Sequence, residues 1–125
     1  MNLNEYQKLC LATAKKGMKH EDALCNWGLG VSGEAGDIAS CIKKFVFHKN
    51  TAIKNGIKEN IGDMMWYTAM ICNTFGWNFQ EVLEENIKKL KKRYPQGFTE
   101  KDAQRKGTMI KWSGAGEVKK VGKTK

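Results

Sequence analysis

Glu34 and Asp37, in the stretch GLGVSGEAGD (residues 28–37), are two carboxylates set into an apolar helical pattern. Three residues apart, they share one face of a helix, one turn above the other. Helical steps outward from Glu34 reach Trp27, Val31, Ile38, Cys41 and Phe45, so the acids sit in a stripe that faces the interior. An unpaired charge there is costly, and something must offset it. A second stretch, KENIGDMMWY (58–67), answers the first: Asp63 has Glu59 at i−4 and Asn60 at i−3, with Trp66, Tyr67 and Met70 along the same side. Two inward-facing acidic clusters on two helices read as one cation site. Carboxylate and amide oxygens are hard donors, matched to Mg²⁺ or Mn²⁺. Zinc would want His or Cys beside the acids, and a di-iron bundle would carry Glu-x-x-His pairs; His20 and His48 stand in neither pattern. Mg²⁺ couples protein carboxylates to substrate phosphates, which points to a phosphorylated substrate. Lys89 and Arg93, at i and i+4 with Asn86 at i−3 from Lys89, offer cations to meet one. Each motif alone has a plainer explanation: a solvated basic helix, core aromatics at Trp66 and Tyr67, a helix C-cap at His48. Their conjunction carries the reading.

The elements that must position these groups are all helical. Asn4 can cap a first helix with Tyr6, Leu9, Cys10, Ala12 and Thr13 inward, ending near Gly17. Asp22 opens a long second helix to about His48, through Gly28, Gly30, Gly33 and Gly36. Each glycine costs a helix roughly 1 kcal/mol against Ala. They predict either a loop near 28–33 or, as we favour, a kink in which Gly33 and Gly36 let a backbone or ligand approach the acids. HKNTAIKNG reads as a polar turn. A third helix runs from Ile53 or Lys58 to Phe75 and stops at Gly76. Asn78 caps a fourth, Phe79 to Tyr94, with Val82, Leu83, Asn86, Ile87 and Leu90 inward, and Pro95 ends it. No alternating strand pattern or internal repeat appears. The fold class is all-α: a four-helix bundle of antiparallel neighbours.

At 125 residues the chain is one domain by length, and no apolar run reaches the ~18–20 residues that span a bilayer. MNLNEYQK carries no signal-peptide core, and Cys10, Cys25, Cys41 and Cys72 lack metal spacing and fall among apolar residues. We therefore expect reduced thiols and a cytoplasmic protein with no membrane association. The net charge of +9 is uneven. Of 22 Lys/Arg and 13 Asp/Glu, 14 and 11 lie in residues 1–100, leaving 8 and 2 in residues 101–125. Residues 97–105 could form one turn of helix. The helical domain is expected over 1–105 and a flexible basic tail over 106–125. Nucleic acid is a conceivable partner for that tail, but the mildly basic body does not favour it.

GLGVSGEAGD, IKKFVFH, ENIGDMMWY and NIKKLKKRYPQGF, in that order, resemble the MazG-like nucleotide pyrophosphohydrolases of the all-α NTP pyrophosphatase superfamily. The likeness runs from about Tyr6 to Arg105, and it rests on four motifs agreeing in order and spacing. It implies Mg²⁺-dependent hydrolysis of a nucleoside triphosphate, often a deoxynucleotide, to the monophosphate and pyrophosphate, by a homodimer or homotetramer. The family pattern, E-x-x-E on one helix and E-x-x-D on the next, falls on Glu34, Asp37, Asn60 and Asp63 as metal ligands. This chain departs from it twice, with a shorter acid at 37 and an amide at 60; Glu59 is a possible substitute one residue earlier. Glu34 is the expected general base, activating a water that attacks the α-phosphorus. Lys44, Lys89 and Arg93, with Asn86, fall where phosphate-binding groups are expected, and Trp66 or Tyr67 would bound the base or sugar pocket. Tyr6 and Gln7 belong to a recurrent N-terminal motif without an assigned role. The rival reading is a catalytically weak bundle that senses a nucleotide or binds nucleic acid.

Overall fold

The structure, a computed structural model, describes residues 1–104; the basic tail expected over 106–125 lies outside them. Four helices follow one another: α1 (Leu3–Thr13), α2 (His20–Phe47), α3 (Lys54–Phe75) and α4 (Phe79–Arg93). A 3₁₀ turn, Thr51–Ile53, leads into α3, and a short α5 (Glu100–Ala103) comes after α4. Among the described residues there is no strand, and no helix is long and apolar enough to cross a membrane. The all-α expectation holds. Contacts divide the chain into Met1–Asn86 and Ile87–Lys125, with the division inside α4.

Local chemistry explains the boundaries. Asn2, not Asn4, starts α1: its side chain accepts from the Glu5 N–H at 2.9 Å while Glu5 accepts from the Asn2 N–H at 2.9 Å. This is a reciprocal capping box, which needs an acid three residues on, and only Asn2 has one. α1 stops at Thr13, short of Gly17. α2 begins at His20 and runs unbroken through its four glycines, so the loop at 28–33 does not form. It ends at His48, whose N–H donates to the Lys44 carbonyl at 3.1 Å, as a C-cap. α3 closes on Gly76, whose φ of 70° is the left-handed cap that glycine tolerates. The Asn78 side chain accepts from the Glu81 N–H at 3.1 Å and starts α4.

The first unit buries Cys10, Ala23, Trp27, Ala69, Met70, Cys72 and Phe79, with Tyr6, Met65, Trp66, Tyr67 and Leu83 packed against them. Several residues expected inside are out: Leu9 is 59% exposed, Ile87 49% and Val82 38%, and Asn86 is exposed too. Helix α4 spends its buried surface on Phe79, leaving its later turns to solvent. In the second unit, Thr99 caps α5 by accepting from the Asp102 N–H at 3.1 Å, and the Tyr94 and Phe98 rings pack 5.6 Å apart.

Candidate functional site

The seam between α2 and α3 positions the acids. The Trp27 indole N–H donates to Thr74 Oγ1 at 3.1 Å. The Tyr67 ring lies against Gly30 so closely that a Cβ added there would collide with it. Further along, a Cβ on Gly56 would meet Cys41 Sγ at 3.7 Å, and the Lys54 ammonium sits 5.3 Å from the Phe45 ring centroid. Partners climb α2 as they descend α3, so the helices run antiparallel. One turn on from Gly30 is Glu34, and one turn back from Tyr67 is Asp63. The register therefore sets Glu34 level with Asp63, between the two glycine contacts.

These acids lie at the rim of the seam, not in the interior as their apolar stripe suggested. Glu34 is half-buried, whereas Asp37, Glu59 and Asp63 are exposed, and no charged side chain among the described residues is buried. The physical reason is that a carboxylate without a counter-ion stays in water. Desolvation, followed by the negative charges of Asp63, Asp37 and Glu59, raises the Glu34 carboxyl above its ordinary pKa of 4.5. The two clusters thus address one another across the seam, with Glu34 at their centre. Among the described residues, no three His, Cys, Asp or Glu side chains are closed onto a common metal position. The donor chemistry nonetheless suits a hard divalent ion: oxygen ligands from two helices whose mutual repulsion such a charge would relieve.

Asn60, the amide in the third ligand position, is half-buried and engaged elsewhere: its Nδ2 donates to Cys41 Sγ at 3.8 Å. Trp66 donates its indole N–H to Thr13 Oγ1 at 2.9 Å. Its ring meets Trp27 and Tyr67 edge-on, with centroids 5.4 and 5.1 Å away. Both Trp66 and Tyr67 are half-buried members of this aromatic cluster. Lys44 is exposed in the last turn of α2, ten residues or roughly 15 Å of helix beyond Glu34. Asn86 is exposed at the end of the first unit. Lys89 and Arg93 belong to the second, where Lys89 is exposed and the Arg93 guanidinium lies 5.9 Å from the Tyr94 ring centre.

The N-terminal pair acquires roles. Gln7 clamps α1 to the α3–α4 turn: its Nε2 donates to Asn73 Oδ1 at 3.0 Å and the Trp77 carbonyl at 2.8 Å. Its Oε1 accepts from the Phe79 N–H at 2.8 Å, and Asn73 Nδ2 donates back to the Gln7 carbonyl at 3.1 Å. The Tyr6 hydroxyl reaches the Gly62 carbonyl at 3.5 Å. Burial, then Cys10 and the Asp63 charge, push its pKa up to about 12. Tyr6 thus stands behind Asp63. Sequence reasoning missed Gly30 and Cys41, whose importance depends on which side chain crosses the seam.

The model of the MazG nucleotide pyrophosphohydrolase domain matches residues 26–98, which contain both acidic clusters. The chain belongs to that family. It is also 33% identical over 73 residues to the Gene 37 protein of Mycobacterium phage L5. The alignment covers 55% of this chain and 64% of that protein, so the chain spans just under two thirds of its relative's length. No solved structure matches.

Proposed function

We propose that this MazG-family chain is a Mg²⁺-dependent nucleoside triphosphate pyrophosphohydrolase, with Mn²⁺ as a workable substitute, acting on a (d)NTP in the cytoplasm. The observation that carries the reading is the meeting of carboxylates from α2 and α3 around Glu34. Glu34, Asp37 and Asp63 would hold the divalent ion, and position 60 is the family's remaining ligand. When bound, the ion supplies charge neutralisation for the triphosphate and makes a water more acidic. Glu34, with its raised proton affinity, takes that water's proton. The water oxygen bonds to the α-phosphorus, the α–β anhydride bond breaks, and its electron pair leaves with pyrophosphate. Lys44, Lys89 and Arg93, with Asn86, are assigned to the phosphates by their places in the family pattern. Tyr67, and Trp66 beside it, are assigned to the base or sugar on the same ground.

A homodimer or homotetramer is part of the proposal. Leu29 and Phe47 are 74% and 78% exposed. Eighteen residues, five helical turns, separate them, so they share a face of α2 with exposed Gly33 and Gly36. A second copy would cover that face, and sedimentation reads the mass directly. The four cysteines are free, which suits a reducing compartment. Incubating the full chain with each dNTP and NTP plus Mg²⁺ tests the chemistry. Equimolar monophosphate and pyrophosphate, lost in Glu34→Gln, support it. Tight nucleotide binding without turnover would make the bundle a sensor instead.

A further inference from the structure

Resting on the metal site just proposed, we infer that Glu59, not Asn60, supplies its third carboxylate, and that Asn60 pins α3 to α2. Two arrangements on the page separate the neighbours. Asn60 lies in the seam: its amide is bonded to Cys41 Sγ, and Gly56, one turn before it, packs against the same sulfur. Reversing the amide does not free it, because Oδ1 would then accept from the thiol. Both Asn60 and Cys41 are half-buried there, while Glu59 and Asp63 are exposed at the rim.

Helix geometry points the same way. Around the α3 axis, Glu59 lies about 40° to one side of Asp63 and Asn60 about 60° to the other. Asp63 is level with Glu34, so the side turned away from Cys41 is the one on which a further oxygen can join. Glu59 occupies it. An acid at 60 would instead place its charge beside a thiol in the packed seam, whereas an amide can bond there without charge. The third negative charge is therefore displaced by one residue rather than absent, and the site holds four carboxylates: Glu34, Asp37, Glu59 and Asp63.

Binding of Mn²⁺ to the full-length protein without nucleotide, followed by the electron paramagnetic resonance of free Mn²⁺, tests this beside thermal unfolding. Glu59→Gln should weaken Mn²⁺ binding about tenfold or more and leave the unfolding midpoint of the metal-free protein within ~2 °C. Asn60→Ala should lower that midpoint and hold Mn²⁺ affinity within about twofold; Cys41→Ser, which disturbs the same contact from α2, should do likewise. Unchanged binding in Glu59→Gln overturns the inference, as does a tenfold loss in folded Asn60→Ala with Cys41→Ser normal. Glu34→Gln keeps the two claims apart. If it abolishes binding while Glu59→Gln does not, the site stands and the assignment of Glu59 falls; if wild type binds no Mn²⁺, both fall.

Discussion

Gly28 and Gly30 stand two residues apart on the same helix, yet alanine should have opposite effects at the two positions. A Cβ at Gly28 meets nothing within 4 Å, so Gly28→Ala should gain the helix-propensity difference, about 0.5–1 kcal/mol. A Cβ at Gly30 would collide with the near edge of the Tyr67 ring. That ring cannot swing aside cheaply, because Trp66 meets it edge-on at 5.1 Å and Trp27 lies 6.3 Å away. Overpacking of this kind costs about 1–3 kcal/mol. Less the propensity gain, Gly30→Ala should lose about 1–2 kcal/mol, and the two variants should differ by about 2 kcal/mol. At roughly 4 °C per kcal/mol for a chain of this size, that is a gap of about 8 °C in the unfolding midpoint.

Circular dichroism melts of both variants at one fixed protein concentration measure the gap. A double-mutant cycle then identifies the cause: in a Tyr67→Ala background, Gly30→Ala should turn from destabilising to neutral or stabilising. The contact lies one turn from Glu34 and Asp63, so forcing the helices apart should also weaken Mn²⁺ binding in Gly30→Ala but not in Gly28→Ala. Gly30→Ala melting with or above Gly28→Ala would refute the close approach and the register drawn from it.

Gln7→Ala should cost about 2–3 kcal/mol in urea unfolding, since the side chain bonds Asn73, the Trp77 carbonyl and the first N–H of α4. A loss below about 0.5 kcal/mol would show that α1 is held by packing alone. Thiol labelling should be selective: Cys25 is exposed and should react in the native protein. Cys10 and Cys72, 3% and 4% exposed with burial raising both thiols, should react only after unfolding. Equal native labelling rates would contradict the core. The raised Glu34 carboxyl holds its proton more readily folded than unfolded, so its contribution to stability is full below the ordinary value near 4.5 and is lost as pH rises through the elevated one. In metal-free protein, the advantage of Glu34→Gln over wild type should therefore grow with pH across that window and then level off. Saturating Mg²⁺ should reverse it; an advantage flat in pH would remove the acidic cluster from the account.

The architecture was legible because its punctuation is chemical. Gly76 and Pro95 end helices for reasons a sequence displays, and the Asn2–Glu5 box was there to be read beside the less suitable Asn4. The continuity of α2 was harder. Four glycines argue for a break on propensity, but tertiary packing around Trp27, buried against α3, overrides it. The two acidic clusters were visible as residue types, and their sharing of a seam followed from helical period. Their exposure did not, because an amphipathic stripe cannot distinguish the middle of a seam from its rim. Nor could spacing choose between Glu59 and Asn60: the choice depends on Cys41, nineteen residues away in sequence and in contact only once the helices pair.

The seam also accounts for the shortened acid at position 37. An Asp reaches one methylene less than a Glu, so with Asp63 opposite Glu34 the helices must run close if both short side chains are to address one ion. Glycine provides that closeness from both sides. Gly30 of α2 receives the Tyr67 ring of α3, and Gly56 of α3 receives the Cys41 sulfur of α2, one contact before the acids and one beyond them. With a larger residue at either glycine, the helices would separate where the carboxylates converge. The rest of α2 and α3 could remain folded, because Trp27, Ala69 and Met70 bury their surface elsewhere along the pair. Ion affinity should therefore fail before the fold does when either glycine contact is opened, and a variant losing both together would place the acids in the structural core instead of at its edge.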